Sequence, residues 1–166
     1  MNFFKTITAI SELRPSYGTL LLAAFIIIAL ASTFKQGKGG VLRDIISLYM
    51  AIAINNFIPF LNLVIGGIKV EDNPWLKIGI FVVIFLLISF MLTRSSLGSL
   101  DTGRSSFLNT FLLAALGSGL LISTISVMLP PDIKKELAGI SQFVFVNEVA
   151  RFAWVIAPIL LTVLIG

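Results

Sequence analysis

Four stretches of about sixteen to twenty-five residues carry no charged side chain: Pro15 to Phe34, Ile45 to Ile68, Ile78 to Thr93 and Ser105 to Leu129. A fifth, shorter one, Phe152 to Gly166, ends the sequence. A helix rises about 1.5 Å per residue and the hydrocarbon layer of a bilayer is roughly 30 Å thick. Each of the four is therefore long enough, or nearly so, to cross it. In water, four such segments within 166 residues leave far more apolar surface than the remainder can cover. The pattern predicts an all-α integral membrane protein, a bundle of four to five transmembrane helices whose first partner is the lipid bilayer.

Charge supports the same reading. Charged residues make up 12% of the chain, about half the roughly 25% of soluble domains. The net charge of +4 comes from Lys and Arg placed between the apolar runs, where they anchor helix ends at lipid headgroups. A nucleic-acid partner needs a basic patch on a water-facing surface, and no segment is large enough to offer one. The chain has no cysteine and no histidine. That removes disulfides, thiolate nucleophiles, imidazole relays and the usual transition-metal ligands. No cofactor and no metal site is expected. No H-E-x-x-H, phosphate loop or Gly-x-Ser-x-Gly elbow is present, and the acids lie at segment ends apart from Glu148. The chain reads as non-enzymatic.

Three regions follow. Residues 1–16 place Phe3, Phe4, Ile7, Ile10 and Leu13 at three- and four-residue steps, the pattern of an N-terminal amphipathic helix lying in the membrane interface. Pro15 ends it. Residues 17–129 form a four-span bundle. The first span is 17–34; Ala29-Leu30-Ala31 resembles a leader cleavage site, but the apolar run continues to Phe34, longer than a leader requires. A tight turn over Lys35 to Gly40 follows. The second span runs from about Val41 to Ile68 and is broken near Pro59. The third covers 75–93, with Trp75 at its start, and the fourth 105–129, stopped by Pro130-Pro131. Residues 130–166 hold the Pro-Pro linker and a C-terminal hydrophobic helix, tilted or partly re-entrant, extending back towards Leu137. Leaving aside Arg151, the cations divide six against five between the two sides, so the positive-inside rule assigns no orientation.

Three constellations stand out. Arg43, Ser47, Ala51, Asn55 and Pro59 recur every four residues and form one helix stripe. Such a stripe either packs one helix closely on another or lines a hydrated path. Ala115, Gly119 and Ser123 form a small-residue seam that lets two backbones approach, within this chain or between copies of it. Glu148 and Arg151 are three apart, neighbours on one helix face. They read as a membrane ion pair, at the interface or inside the bilayer.

The run Gly39-Gly40-Val41-Leu42-Arg43-Asp44-Ile45-Ile46-Ser47-Leu48, after an opening span, and the later small-residue core Ala115-Leu116-Gly117-Ser118-Gly119-Leu120-Leu121 resemble the colicin V production protein (CvpA) family over residues 17–129. The chain departs from that family at Phe107-Leu108, where an Asp-Arg pair is usual, at Ser118, where an arginine is common, and in its hydrophobic tail after Pro131. The resemblance implies a small non-enzymatic protein of the bacterial inner membrane, linked to secretion or envelope maintenance and acting through contacts with itself or a larger complex. The alternative is a subunit of a channel or small-solute transporter, with its pathway along the second span.

Overall fold

A computed structural model describes residues 17–58, 64–65, 67–95, 107–136 and 142–165. The expected interfacial helix over 1–16 and Pro59 lie outside the described residues. The rest is built from helices: α1 (Tyr17–Phe57), α2 (Pro74–Arg94), α3 (Phe107–Met128), α4 (Pro131–Glu136) and α5 (Glu148–Ile165). Two-residue strands β1 (Val64–Ile65) and β2 (Ile68–Lys69), a 3-10 turn (Val70–Asp72) and a π-helical turn (Gln142–Val146) complete it. Both α2 and α3 are long and apolar enough to cross a membrane.

The 41 residues of α1 are not straight. Gly37 adopts φ 64° and ψ −175°, a backbone region open almost only to glycine. A straight helix would hold Ile28 and Leu48 about 30 Å apart. Instead both line one small cavity. Phe25 stacks edge-on against Trp154, and Tyr49 hydrogen-bonds to the carbonyl of the next residue, Val155. The two arms of α1 thus fold back on each other at Gly37. The expected turn over residues 35–40 narrows to this one residue, because Gly39 and Gly40 continue the helix.

The expected second span also ends sooner, at Phe57 rather than Ile68. Beyond it Val64 pairs with Lys69, and Ile65 with Ile68, in an antiparallel ladder. The connection holds Gly67 at φ 81°, a conformation suited to a two-residue hairpin turn. Asn73 then starts α2: its Oδ1 accepts from the Trp75 and Leu76 amides at 3.0 and 3.4 Å. Pro74, in the first turn, needs no amide partner there.

Among the long helices α3 is central. Thr110, Leu113, Ala114, Ser118, Gly119, Leu120, Ile122, Ser123 and Ser126 are buried along it. Its neighbours are α1, α2, α5 and the π-helical turn. Leu48, Ala51, Phe81, Ile88 and Leu120 form one core cluster, and Val41, Ile45, Leu113 and Ala114 another nearer Gly37. At its far end α3 is capped by Lys134, whose Nζ donates to the Val127 carbonyl; a cation there complements the helix dipole.

The C-terminal helix α5 begins at Glu148, and residues 137–141, into which the sequence would extend it, lie outside the described residues. A π-helical turn precedes α5, and Asn147 Oδ1 accepts from the Val149 amide at 2.9 Å to cap the new start. Pro158 sits inside α5 without ending it. Leu161 reaches the core cluster nearest Gly37. Glu148 therefore lies at the end of the bundle where α1 and α3 finish, and α5 runs back towards the Gly37 end.

Candidate functional site

The stripe on α1 faces inward. Ser47 and Ala51 are fully buried, and Ser47 Oγ donates to the Arg43 carbonyl at 2.9 Å. A hydroxyl bonded to its own helix is satisfied and asks for nothing from a neighbour. The middle of the stripe is thus a packing surface. Its ends differ. Next to Arg43, Asp44 accepts from Ser89 Oγ at 3.0 Å and lines a cavity of about 140 Å³ with Ile28, Val41, Phe85 and Ser118. At the other end Asn55 lines a larger cleft.

The small-residue seam on α3 is filled from within the chain. Trp154 lies so close to Gly119 that any side chain there would enter its ring. Ser123 Oγ donates to the Phe145 carbonyl at 2.9 Å, and Trp154 Nε1 to the Val144 carbonyl at 2.7 Å. Phe145 and Trp154 stack with ring centroids 5.9 Å apart, and Phe25 closes over both. Ala115 contributes its carbonyl, which accepts from Ser118 Oγ at 3.0 Å.

The cleft is where the three constellations meet. It has a volume of about 470 Å³ and is lined by Asn55 and Asn56 of α1, Ser123 and Thr124 of α3, and Glu148 and Arg151 of α5. Ile52, Leu120, Val127, Met128, Phe152 and Val155 supply its apolar walls. Asn55 is 8% exposed, and its Oδ1 is buried with no hydrogen-bond partner among the described residues. Ser123 and Thr124 donate to backbone carbonyls, Thr124 to Leu120 at 2.8 Å, so neither hydroxyl proton reaches the amide. Glu148 and Arg151 are both exposed to the cleft side by side, and among the described residues no ion pair joins them.

No family model, curated protein or solved structure matches this chain. What the site does must therefore be argued from its own chemistry.

A volume of this size lies within the range of small-molecule sites, roughly 300–1,000 Å³. The set of groups is polar but holds no nucleophile activated by a base. It offers acceptors at Asn55 and Glu148 and donors at Arg151 and the amides. It can bind and orient a polar group that enters from the end of the bundle. The two cavities lie at opposite ends of the second arm of α1, and Leu48, Ala51 and Leu120 are packed between them.

Spacing in the sequence picked out Asn55, Ser123, Glu148 and Arg151 but not that they share a cleft. Trp154, Phe145, Tyr49 and Ser89 were missed. Tyr49 and Ser89 are isolated polar residues in apolar runs, and in lipid each needs a partner. That was the available signal.

Proposed function

We propose that this protein is a small non-enzymatic membrane protein, resident in a bacterial inner membrane, whose five rods (the two arms of α1, then α2, α3 and α5) each cross the bilayer. It acts as an accessory or assembly factor through helix contacts with a larger complex, in the manner implied by its resemblance to the CvpA family. The observation that carries the membrane reading is α2. This helix has a mean hydropathy of 2.6, yet only 11% of it is buried. A core helix of a water-soluble protein would be mostly covered. Here Val83, Leu86, Leu87, Phe90 and Met91 all point outward, a contiguous apolar face far beyond what water tolerates. Lipid tails on that face remove the difficulty. The expected result is a protein that stays with membranes through an alkaline wash and is monodisperse only in detergent or nanodiscs. Monodisperse behaviour in plain buffer would overturn the reading. Co-purification of specific membrane proteins from native membranes tests the accessory role.

The stacked cavities favour a second reading, a subunit of a channel or small-solute transporter. The pathway would follow the second arm of α1, closed in this state by Leu48, Ala51 and Leu120. Solute flux into liposomes that is lost in Asn55→Leu supports it. Absence of flux together with specific membrane partners supports the accessory role.

A further inference from the structure

We propose that the Asn55 cleft binds a primary ammonium group joined by a short spacer to an anionic phosphate or carboxylate. The proposal rests on the membrane reading above and adds a ligand class to it. Three observations converge. Asn55 Oδ1 is a buried acceptor without a donor among the described residues; such groups in native proteins are satisfied by something. Glu148 opens on the same cleft with a second acceptor, this one charged. Two acceptors carried by residues that line one cleft suit a cation with several N–H donors. One helical turn on, with about 5–6 Å between Cβ atoms, Arg151 offers a planar fork of donors that suits phosphate or carboxylate oxygens.

The charge count of the cleft agrees. Glu148 and Arg151 are its charged side chains, and they contribute one charge of each sign. They are not joined to one another, so both remain open to an occupant of matching polarity. The remaining wall of Ile52, Val127, Met128, Phe152 and Val155 is apolar, and suits the carbon skeleton to which such a headgroup is attached. The cleft also lies where α1 and α3 end and α5 begins, the level at which headgroups meet a bundle of this length.

This chemistry has two sources: the headgroup of phosphatidylethanolamine, and a free zwitterion such as phosphoethanolamine. The detergent-purified full chain, exchanged into nanodiscs holding equal parts phosphatidylethanolamine, phosphatidylcholine and phosphatidylglycerol, separates them by native mass spectrometry of retained lipid. Phosphatidylcholine is the informative control, because its quaternary nitrogen has no N–H to give Asn55. Selective retention of phosphatidylethanolamine, reduced about tenfold or more in Asn55→Leu and in Glu148→Gln, establishes the lipid source. Binding of free phosphoethanolamine with the same sensitivity, and no lipid selectivity, establishes the soluble one. Glu148 is exposed, so Glu148→Gln tests the site without disturbing the core. Retention of phosphatidylcholine equal to phosphatidylethanolamine, or selectivity unchanged in both variants, overturns the proposal. So does the failure of both probes to bind, while continued dependence on detergent leaves the membrane reading standing.

Discussion

The indole of Trp154 occupies the space that a side chain at Gly119 would need. Glycine at that position is required by one partner on another helix rather than by backbone conformation. The same ring stacks on Phe145 and meets Phe25. One residue of α5 thus ties together α3, the π-helical turn and the first arm of α1.

Gly119→Leu should displace Trp154 and cost about 1–3 kcal/mol, the usual range for overfilling a packed site. Trp154→Ala should cost about 3–5 kcal/mol through the void it leaves. Thermal unfolding of the purified protein in detergent measures both. Because the seam is filled from within the chain, Ser123→Cys, close in size to the serine it replaces at a position only 2% exposed, should give no disulfide dimer in native membranes of this cysteine-free chain. Efficient crosslinking there would show that α5 leaves α3 to make room for a second copy.

Gly37→Ala should destabilise by about 1–3 kcal/mol through backbone strain alone. Nothing lies within 4 Å of where its Cβ would stand, so a steric clash is not the cause. Gly79, an open position inside α2, is the control: alanine there should be neutral or stabilising by up to about 1 kcal/mol. Equal effects at the two sites would remove the special role of the Gly37 conformation.

The Asp44–Ser89 hydrogen bond joins the second arm of α1 to α2. A double-mutant cycle with Asp44→Asn and Ser89→Ala should return a coupling of about 0.5–1.5 kcal/mol. A value near zero would mean that packing by Phe81, Phe85 and Ile88 alone holds α2 in place.

Leu87→Arg places a charge on the outward face of α2. It should cost about 2.5–3.5 kcal/mol of insertion free energy, read as a fall in the membrane-integrated fraction in a translocation assay. Leu87→Ile should leave it unchanged. An arginine tolerated without loss would place Leu87 against water or protein rather than lipid.

The helical character was legible in the long charge-free runs, two of which return as α2 and α3, helices long and apolar enough to cross a membrane. The boundaries of α2 could be read at Asn73-Pro74, where a cap and a helix-starting proline stand together. The end of α1 could not. Val64, Ile65 and Ile68 are as apolar as the helix before them, and hydropathy does not separate a buried helix from a β-hairpin. Gly67, with its left-handed backbone, was the cue. The C-terminal hydrophobic helix could be expected from the sequence, but its first residue could not, for a related reason. Residues from Leu137 onward can be drawn as a helix on paper, but Asn147 supplies a local cap and divides the segment. At the site, four-residue spacing grouped Asn55 with the α1 stripe and Ser123 with the α3 seam, and both are buried in the structure. It could not reveal that Glu148 would share a cleft with Asn55, because that depends on where α5 packs on α3. Trp154 seated against Gly119 is one contact that fixes that position.

A reversal made by Gly37 alone leaves no slack between the first two rods. Neither arm can slide far along the other, because a single residue of chain makes the corner between them.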